Sequence, residues 1–167
     1  MKIVIFGTGF LGTKLLNFLS KKFYVFGASL NPKQSIIRKV DAINKKEVED
    51  FLAAIKPDIV INTIALSSYL KCEQNGVLCN KLNYITAVNI SEVCNKINSK
   101  LIFISSSYIF DGTKGNYTEN DIGKETNKYA TSKIRAEKKV LEIEGTIVLR
   151  LECLYGYDEV EKRIRVG

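Results

Sequence analysis

The chain opens on an unbroken apolar run, Ile3-Val4-Ile5-Phe6, closed by Gly7. A strand buried on both faces, as in a parallel sheet, reads this way. The period then changes: Phe10, Leu11, Leu15, Leu16, Phe18 and Leu19 recur at helical spacing and stop at Lys21-Lys22, cations that suit a helix C-terminus. A strand followed at once by a helix predicts the start of a βαβ unit. The alternation continues, with residues 23–26 as a strand, 40–43 as a short third extended piece, 46–55 as a helix halted by Pro57, and 58–64 as another apolar strand. Val77, Leu78, Leu82, Ile85, Val88, Ile90, Val93, Cys94 and Ile97 predict one long helix, and residues 101–104 the next strand. A helix over 129–143 follows, with Ile134, Val140 and Leu141 inward and Lys133, Arg135, Glu137 and Lys138 largely outward, before a strand over 146–151. This order predicts an α/β fold, a Rossmann-like doubly wound parallel sheet.

One polar stretch interrupts the alternation. Between Ser107 and Lys128 lie the turn formers Asp111-Gly112, Lys114-Gly115 and Asn120-Asp121. A loop of about 20 residues inside a compact domain tends to be functional, and this one follows the carboxyl end of a strand, where open α/β sheets place ligands.

Composition narrows the class. A length of 167 residues suits one domain spanning 1–167, and 46% apolar against 26% charged residues with two prolines is an ordinary globular balance. The net charge of +7 is spread over pairs such as Lys21-Lys22, Lys45-Lys46 and Lys138-Lys139, which is how a solvated surface reads. No face interleaves bases with aromatics, so no nucleic-acid partner is expected, while attraction to small anions is retained. Four cysteines without a Cys-x-x-Cys pair, in a chain with no histidine, predict reduced thiols and no metal site. Met1-Lys2 runs straight into a strand and no apolar run reaches the roughly 20 residues of a membrane span, so the expected setting is cytoplasmic, without a membrane partner.

Candidate chemistry lies in two places. Gly7-Thr8-Gly9-Phe10-Leu11-Gly12 follows a strand and opens a helix, where glycines let the chain turn tightly and let backbone N–H groups approach a pyrophosphate. A bare glycine-rich turn would look the same. An NAD site ordinarily has an acid about 20 residues further on, to hold the ribose 2′-hydroxyl. Here the chain reads Gly27-Ala28-Ser29-Leu30, with Lys33 and Arg38 nearby, which favours NADP over NAD unless those cations are mere surface charge. The second place is Ser105-Ser106-Ser107 with Tyr129 and Lys133 four residues apart on one helix face. An ammonium beside a phenol lowers its pKa from roughly 10, and a hydroxyl on the same substrate oxygen steadies developing charge. The set can reduce a carbonyl.

With these residues in view, the chain resembles the extended short-chain dehydrogenase/reductases, and within them the dTDP-4-dehydrorhamnose reductase family. The likeness rests on the glycine loop, Val40-Asp41-Ala42, Pro57-Asp58-Ile59-Val60-Ile61-Asn62 with Cys72-Glu73, and Asn83 ahead of Ala87-Val88. It continues through Ile104 to Gly112, Tyr117-Thr118-Glu119, the Tyr129/Lys133 pair, Leu149-Arg150 and Tyr155-Gly156. The resemblance implies reduction of a nucleotide-linked 4-keto sugar by NAD(P)H. Ser106 would bond the keto oxygen, Tyr129 would donate the proton, and Lys133 would lower the Tyr129 pKa and hold the nicotinamide ribose. Gly7, Gly9, Phe10, Leu11, Gly12, Asp41, Ala65 and Asn83 would fall on cofactor or scaffold positions, with Asp41 facing the adenine; Asp41 also suits a turn leading into a helix.

Three departures qualify the likeness. The glycine loop is one residue shorter than the family's Gly-x-x-Gly-x-x-Gly, and Ser107 stands where an acid is often found. Family members also continue for about a hundred residues that build the sugar-nucleotide region, so a truncated substrate region is expected, with self-association, a homodimer in the simplest form, over the apolar surface left bare. Two other functions therefore stay open: a non-catalytic NADP-binding module resembling the regulatory β subunit of methionine adenosyltransferase, and a sugar-nucleotide epimerase.

Overall fold

The computed structural model describes residues 1–158 and 161–165; positions 159, 160, 166 and 167 of the expected single domain lie outside the described residues. Six parallel strands form the sheet: β1 (Lys2–Phe6), β2 (Tyr24–Ser29), β3 (Ile37–Lys39), β4 (Ile59–Asn62), β5 (Lys100–Ser106) and β6 (Ile147–Leu151), in spatial order β3-β2-β1-β4-β5-β6. The order reverses between β1 and β4. That crevice, at the strands' carboxyl ends, is where a doubly wound sheet binds its ligand.

Apolar residues on both sides of β1 explain its place near the centre. Val4 and Phe6 face one core, with Val48 and Leu52 of α2 (Lys45–Ile55), Ile90 and Val93 of α5 (Thr86–Lys96), and Val140 of α6 (Lys128–Val140). Ile3 and Ile5 face the other, under Leu16 of α1 (Phe10–Leu19). The sheet ends at β6, whose Ile147 and Leu149 point away from the first core and are 50% and 42% exposed.

Four expectations are corrected. The third strand is residues 37–39, not 40–43, because Ile37, Arg38 and Lys39 take the ladder positions opposite Gly27, Ala28 and Ser29, and the Val40 N–H closes the ladder on the Ser29 carbonyl. Residues 41–44 instead turn into α2. There Asn44 caps the helix by accepting from the Lys46 N–H, and Glu47 reaches back to the Asp41 N–H.

The single helix expected over 77–97 is divided into α4 (Gly76–Asn80), a π-helical turn (Lys81–Ile85) and α5, preceded by a short α3 (Tyr69–Gln74) that periodicity misses. Asn75 ends α3 and caps α4 by accepting from the Leu78 N–H. On α6, Lys133 and Glu137 are buried while Leu141 is 54% exposed, the reverse of the expected faces. Beyond β6 the chain adds an unpredicted antiparallel hairpin, β7 (Gly156–Asp158) with β8 (Arg163–Arg165).

The long polar loop is held by its own side chains. Asp111 accepts from the Thr113 N–H and hydroxyl, the Tyr117 phenol and Lys124, and Phe110 stacks on Tyr117 at 4.2 Å between ring centres. Asp121 accepts from the Thr118 N–H and hydroxyl and pairs with Lys114, whose ammonium holds the carboxyl down at about 2.

Arg150 of β6 then fastens the loop to the fold. Its Nη1 donates to the carbonyls of Glu119 and Asp121 at 3.1 and 3.2 Å, and its Nη2 donates to the buried Glu137 carboxylate at 2.9 Å. Truncating one partner of a fully buried pair costs ~3–5 kcal/mol, and partial exposure of Arg150 lowers that figure. Glu137→Gln is expected to lower the urea-unfolding free energy by about 2 kcal/mol and to speed proteolysis within residues 108–127. An unchanged unfolding midpoint would mean that the ion pair does not hold the loop.

Candidate active site

The crevice between β1 and β4 begins at Gly7, whose φ of +86° is left-handed and favours glycine. Gly12 is required by contact: a Cβ there would lie 1.8 Å from the Gly7 carbonyl oxygen, so only glycine lets α1 sit this close to the end of β1. Gly9 faces open space, with nothing within 4 Å of an added Cβ. It precedes a helix whose first turn has no side-chain cap from Gly9 and no acidic residue, so the positive end of α1 carries no opposing charge of its own. Phe10 and Leu11, half-buried, complete this turn.

Thr63, which sequence reading passes over, ties the two central strands together. Its hydroxyl lies 2.6 Å from the Gly7 carbonyl oxygen and 3.0 Å from that of Phe6. A β-branched hydroxyl ending an apolar run was the available signal.

Asn83 supports the same crevice from below. The π-helical turn delivers it fully buried, its carbonyl accepting from the Leu66 N–H at 2.7 Å and its amide donating to the Ser132 hydroxyl at 3.0 Å. Ala65 is exposed on the loop that this contact fixes. Asp41 lies in the turn between β3 and α2, where its carboxylate accepts from the Ile43 N–H at 2.9 Å, so the turn-forming role is realised.

The second cluster gathers where β5 ends. Ser106 closes the strand, and its hydroxyl accepts from the Tyr108 N–H at 3.2 Å as the chain enters a 3₁₀ turn (Ser107–Ile109). Tyr129 sits in the first turn of α6, which Asn127 caps by accepting from the Ala130 N–H at 2.8 Å. Burial raises the Tyr129 pKa, the Ser106 hydroxyl beside the phenol opposes this, and the nearby Cys72 and Cys79 thiols add to the rise.

Lys133, one turn further on, is 1% exposed. Its ammonium donates to the Ile104 carbonyl at 2.7 Å and stands 4.1 Å from the centre of the Phe103 ring. Desolvation brings its pKa down to about 7, against the pull of Glu137. The structure thus brings Ser106, Tyr129 and Lys133 to one place but not with the expected electrostatics. The phenol is held protonated by burial, and the ammonium is engaged by the end of β5.

The expected reduced thiols are present: Cys72, Cys79 and Cys94 are free and buried, and Cys153 is free and exposed. Among the described residues, no helix is long and apolar enough to cross a membrane.

A phosphate-ready loop at the switch point and a Ser/Tyr/Lys set at the next strand end agree with what comparison finds: residues 1–163 match the RmlD substrate binding domain. The chain belongs to the RmlD family. Within the extended short-chain dehydrogenase/reductases, its similarities reach both dTDP-4-dehydrorhamnose reductases and a methionine adenosyltransferase subunit. The rat methionine adenosyltransferase 2 subunit beta is 31% identical over 164 residues, covering 96% of this chain and 48% of that protein. A hypothetical dTDP-4-dehydrorhamnose reductase from Sulfolobus tokodaii superposes with a TM-score of 0.88 at 30% identity, covering 94% of this chain and 57% of its own. The dTDP-4-dehydrorhamnose reductase from Bacillus anthracis, solved in complex with NADP, shares the fold with a TM-score of 0.79 at 24% identity, covering 93% of this chain and 54% of its own. The chain spans about half the length of the curated relatives it matches.

The cluster at the end of β5 carries a measurable cost in its buried lysine. A base whose pKa is depressed by folding makes the unfolded state bind more protons, so stability rises with pH between the folded and unfolded pKa values. For Lys133 that window runs from about 7 to 10.5. Lys133→Met is expected to be more stable than the parent near neutrality, with an advantage shrinking by up to about 1.4 kcal/mol per pH unit as pH rises through the window. Urea unfolding across that range tests it; a pH-independent difference would mean that the amine is not desolvated.

Proposed function

We propose that this chain forms the dinucleotide-binding part of a reductase acting on the 4-keto group of a nucleotide-linked sugar with a nicotinamide cofactor, as dTDP-4-dehydrorhamnose reductases do. The observation that carries the reading is the gathering of Ser106, Tyr129 and Lys133 at the end of β5, two strands from β1 and the glycine loop at the sheet's switch point. The loop fits a dinucleotide because α1 opens without a cap or an acid and Gly9 leaves its approach clear. Backbone groups of Gly7, Gly9, Phe10, Leu11 and Gly12 would hold the pyrophosphate. Ala65 would form the wall after β4, with Asn83 holding that loop from behind, and Asp41 the adenine side. When bound, the reduced nicotinamide supplies hydride to the carbonyl carbon.

The chain's own residues handle the oxygen. The Ser106 hydroxyl hydrogen-bonds the keto oxygen and orients it. Tyr129, kept protonated by its burial, donates the phenolic proton as negative charge develops there. Lys133 exchanges its proton readily near neutral pH because its own pKa is brought down to about 7, so it can restore the Tyr129 proton.

A second reading has its own support. The rat methionine adenosyltransferase 2 subunit beta matches 96% of the chain at 31% identity, which favours a non-catalytic nucleotide-binding module. One assay separates the two: the protein is mixed with dTDP-4-dehydrorhamnose, and the reduced-nicotinamide absorbance is followed alongside dinucleotide binding. For a reductase, Tyr129→Phe lowers kcat/KM by about 100-fold or more with dinucleotide affinity kept. Binding without turnover supports the regulatory module, and failure to bind either dinucleotide defeats both readings.

A further inference from the structure

The buried lysine and the long polar loop meet through one ion pair. The register of β5 with β6 sets Arg150 beside Ser105, one residue past the Ile104 carbonyl that takes the Lys133 ammonium. Arg150 shares a sheet face with Val148, which packs with Phe103 of β5 in the first core. α6 covers that face and brings down onto it Lys133 and Glu137, four residues apart and both buried. Arg150 grips the Glu137 carboxylate with Nε, 3.2 Å from each oxygen, and with Nη2 at 2.9 Å. Its remaining nitrogen, Nη1, holds the loop by the carbonyls of Glu119 and Asp121, and its guanidinium carbon lies 5.3 Å from the centre of the Phe110 ring.

Glu137 thus stands between two cations. Desolvation brings Lys133 down to about 7, and Glu137 is the largest pull against that fall. The other titratable groups beside Lys133 are the thiols of Cys79 on α4 and Cys72 on α3, the Tyr108 phenol of the 3₁₀ turn and the Tyr129 phenol on α6 itself. Burial pushes Cys72 up to about 12 and raises Tyr129, so neither is charged near pH 7. Charged groups elsewhere around α6 are engaged away from Lys133: Glu73 of α3 takes the Lys128 N–H, and Glu92 of α5 pairs with Lys45.

With Arg150 seated, the Glu137 charge is offset where it stands. Were the loop to lift and draw Arg150 away, the bare carboxylate in a low-dielectric interior would hold the Lys133 proton more firmly. The loop's own carboxylates do not titrate in this range, because Lys114 holds Asp121 down at about 2 and Lys124 holds Asp111 well below the usual carboxylate range.

We propose that Glu137 and Arg150 are positioning residues for the proton step, coupling the seating of residues 108–127 on Arg150 to release of the Lys133 proton toward Tyr129. The inference rests on the reductase reading above, in which the proton leaves Nζ for the phenolate oxygen that donation to the keto oxygen leaves behind. It gives the loop a chemical task as well as a structural one: seated, it makes Lys133 a readier donor.

The Lys133 amine can be titrated directly, through the pH dependence of its ε-carbon resonance in protein carrying isotope-labelled lysine, with Lys133→Met to assign the signal. Glu137→Gln removes the pull and leaves Arg150 charged, so the Lys133 midpoint is expected to fall by about one pH unit. Arg150→Gln bares the carboxylate, and the midpoint is expected to rise by about as much. Arg150→Lys keeps the charge without the fork and is expected to titrate close to the parent. A merely structural pair would behave otherwise, since losing either partner would loosen the loop, admit water and raise the midpoint in both variants. The proposal is overturned if Glu137→Gln leaves the midpoint in place or raises it, or if Arg150→Lys moves it as far as Arg150→Gln does. Should Arg150→Gln misfold, a fall in Glu137→Gln with no change in Arg150→Lys still supports the coupling, and any other pattern overturns it. In turnover with dTDP-4-dehydrorhamnose, the midpoint of the kcat–pH profile is expected to move in the same directions. The resonance needs no turnover, so opposed shifts in a protein that reduces no substrate overturn the proposed function and keep the coupling, whereas turnover with an unmoved Lys133 midpoint overturns the coupling alone.

Discussion

Asn83 is a single amide on which the working end of this fold depends. It is fully buried, and its carbonyl and amide groups reach the Leu66 backbone, Cys79 Sγ and the Ser132 hydroxyl. Those contacts join the loop after β4 to α4 and to the helix that carries Tyr129. In a low-dielectric interior each of these hydrogen bonds is strong, and an unmet amide would be costly, so the network specifies one arrangement. The π-helical turn makes it possible, because the extra residue it inserts turns position 83 inward between elements that a regular helix would not bridge. The walls on either side of the site are therefore set by the same side chain.

The sheet was legible because its signal is local. β1 and β4 are apolar on both faces, and period alone identifies them. The third strand was misplaced by three residues because its position is fixed by the ladder with β2, which no local pattern encodes. Asp41 then became a turn residue. The helix over 77–97 looked continuous because its apolar positions keep a helical rhythm through the π-helical turn. Capping at Asn75 was a readable signal, and the extra residue per turn was not.

Lys133 shows where reading charge as exposure fails. A lysine and a glutamate one turn apart on a charged helix look like a solvated face. In the fold the pair lies under α6, where Ile104 and Phe103 take the ammonium and Arg150 takes the carboxylate. The fold gathers the Ser106, Tyr129 and Lys133 named from sequence but inverts the expected electrostatics, because burial dominates the phenol while the Lys133 ammonium is turned to the Ile104 carbonyl. Thr63 was missed for a related reason: it acts across the fold on residues far away in sequence.

The strand order also bears on how the chain reaches this fold. β1 pairs with β2 on one side, Lys2 meeting Tyr24, but its other edge is matched only by β4, where Ile3 meets Ile59. At a synthesis rate of ~5–20 residues per second, β1 would wait several seconds with that edge bare. Non-local parallel pairing of this kind is slow to form and exposed to wrong partners. Lys2 is suited to that interval. Its charged side chain sits at the start of an otherwise sticky strand, and in the finished fold its backbone N–H and its ammonium are taken by Asp58 and by the Ile55 carbonyl at the entry to β4. The side chain that guards the strand while it waits thus also helps to fix its register once the partner arrives.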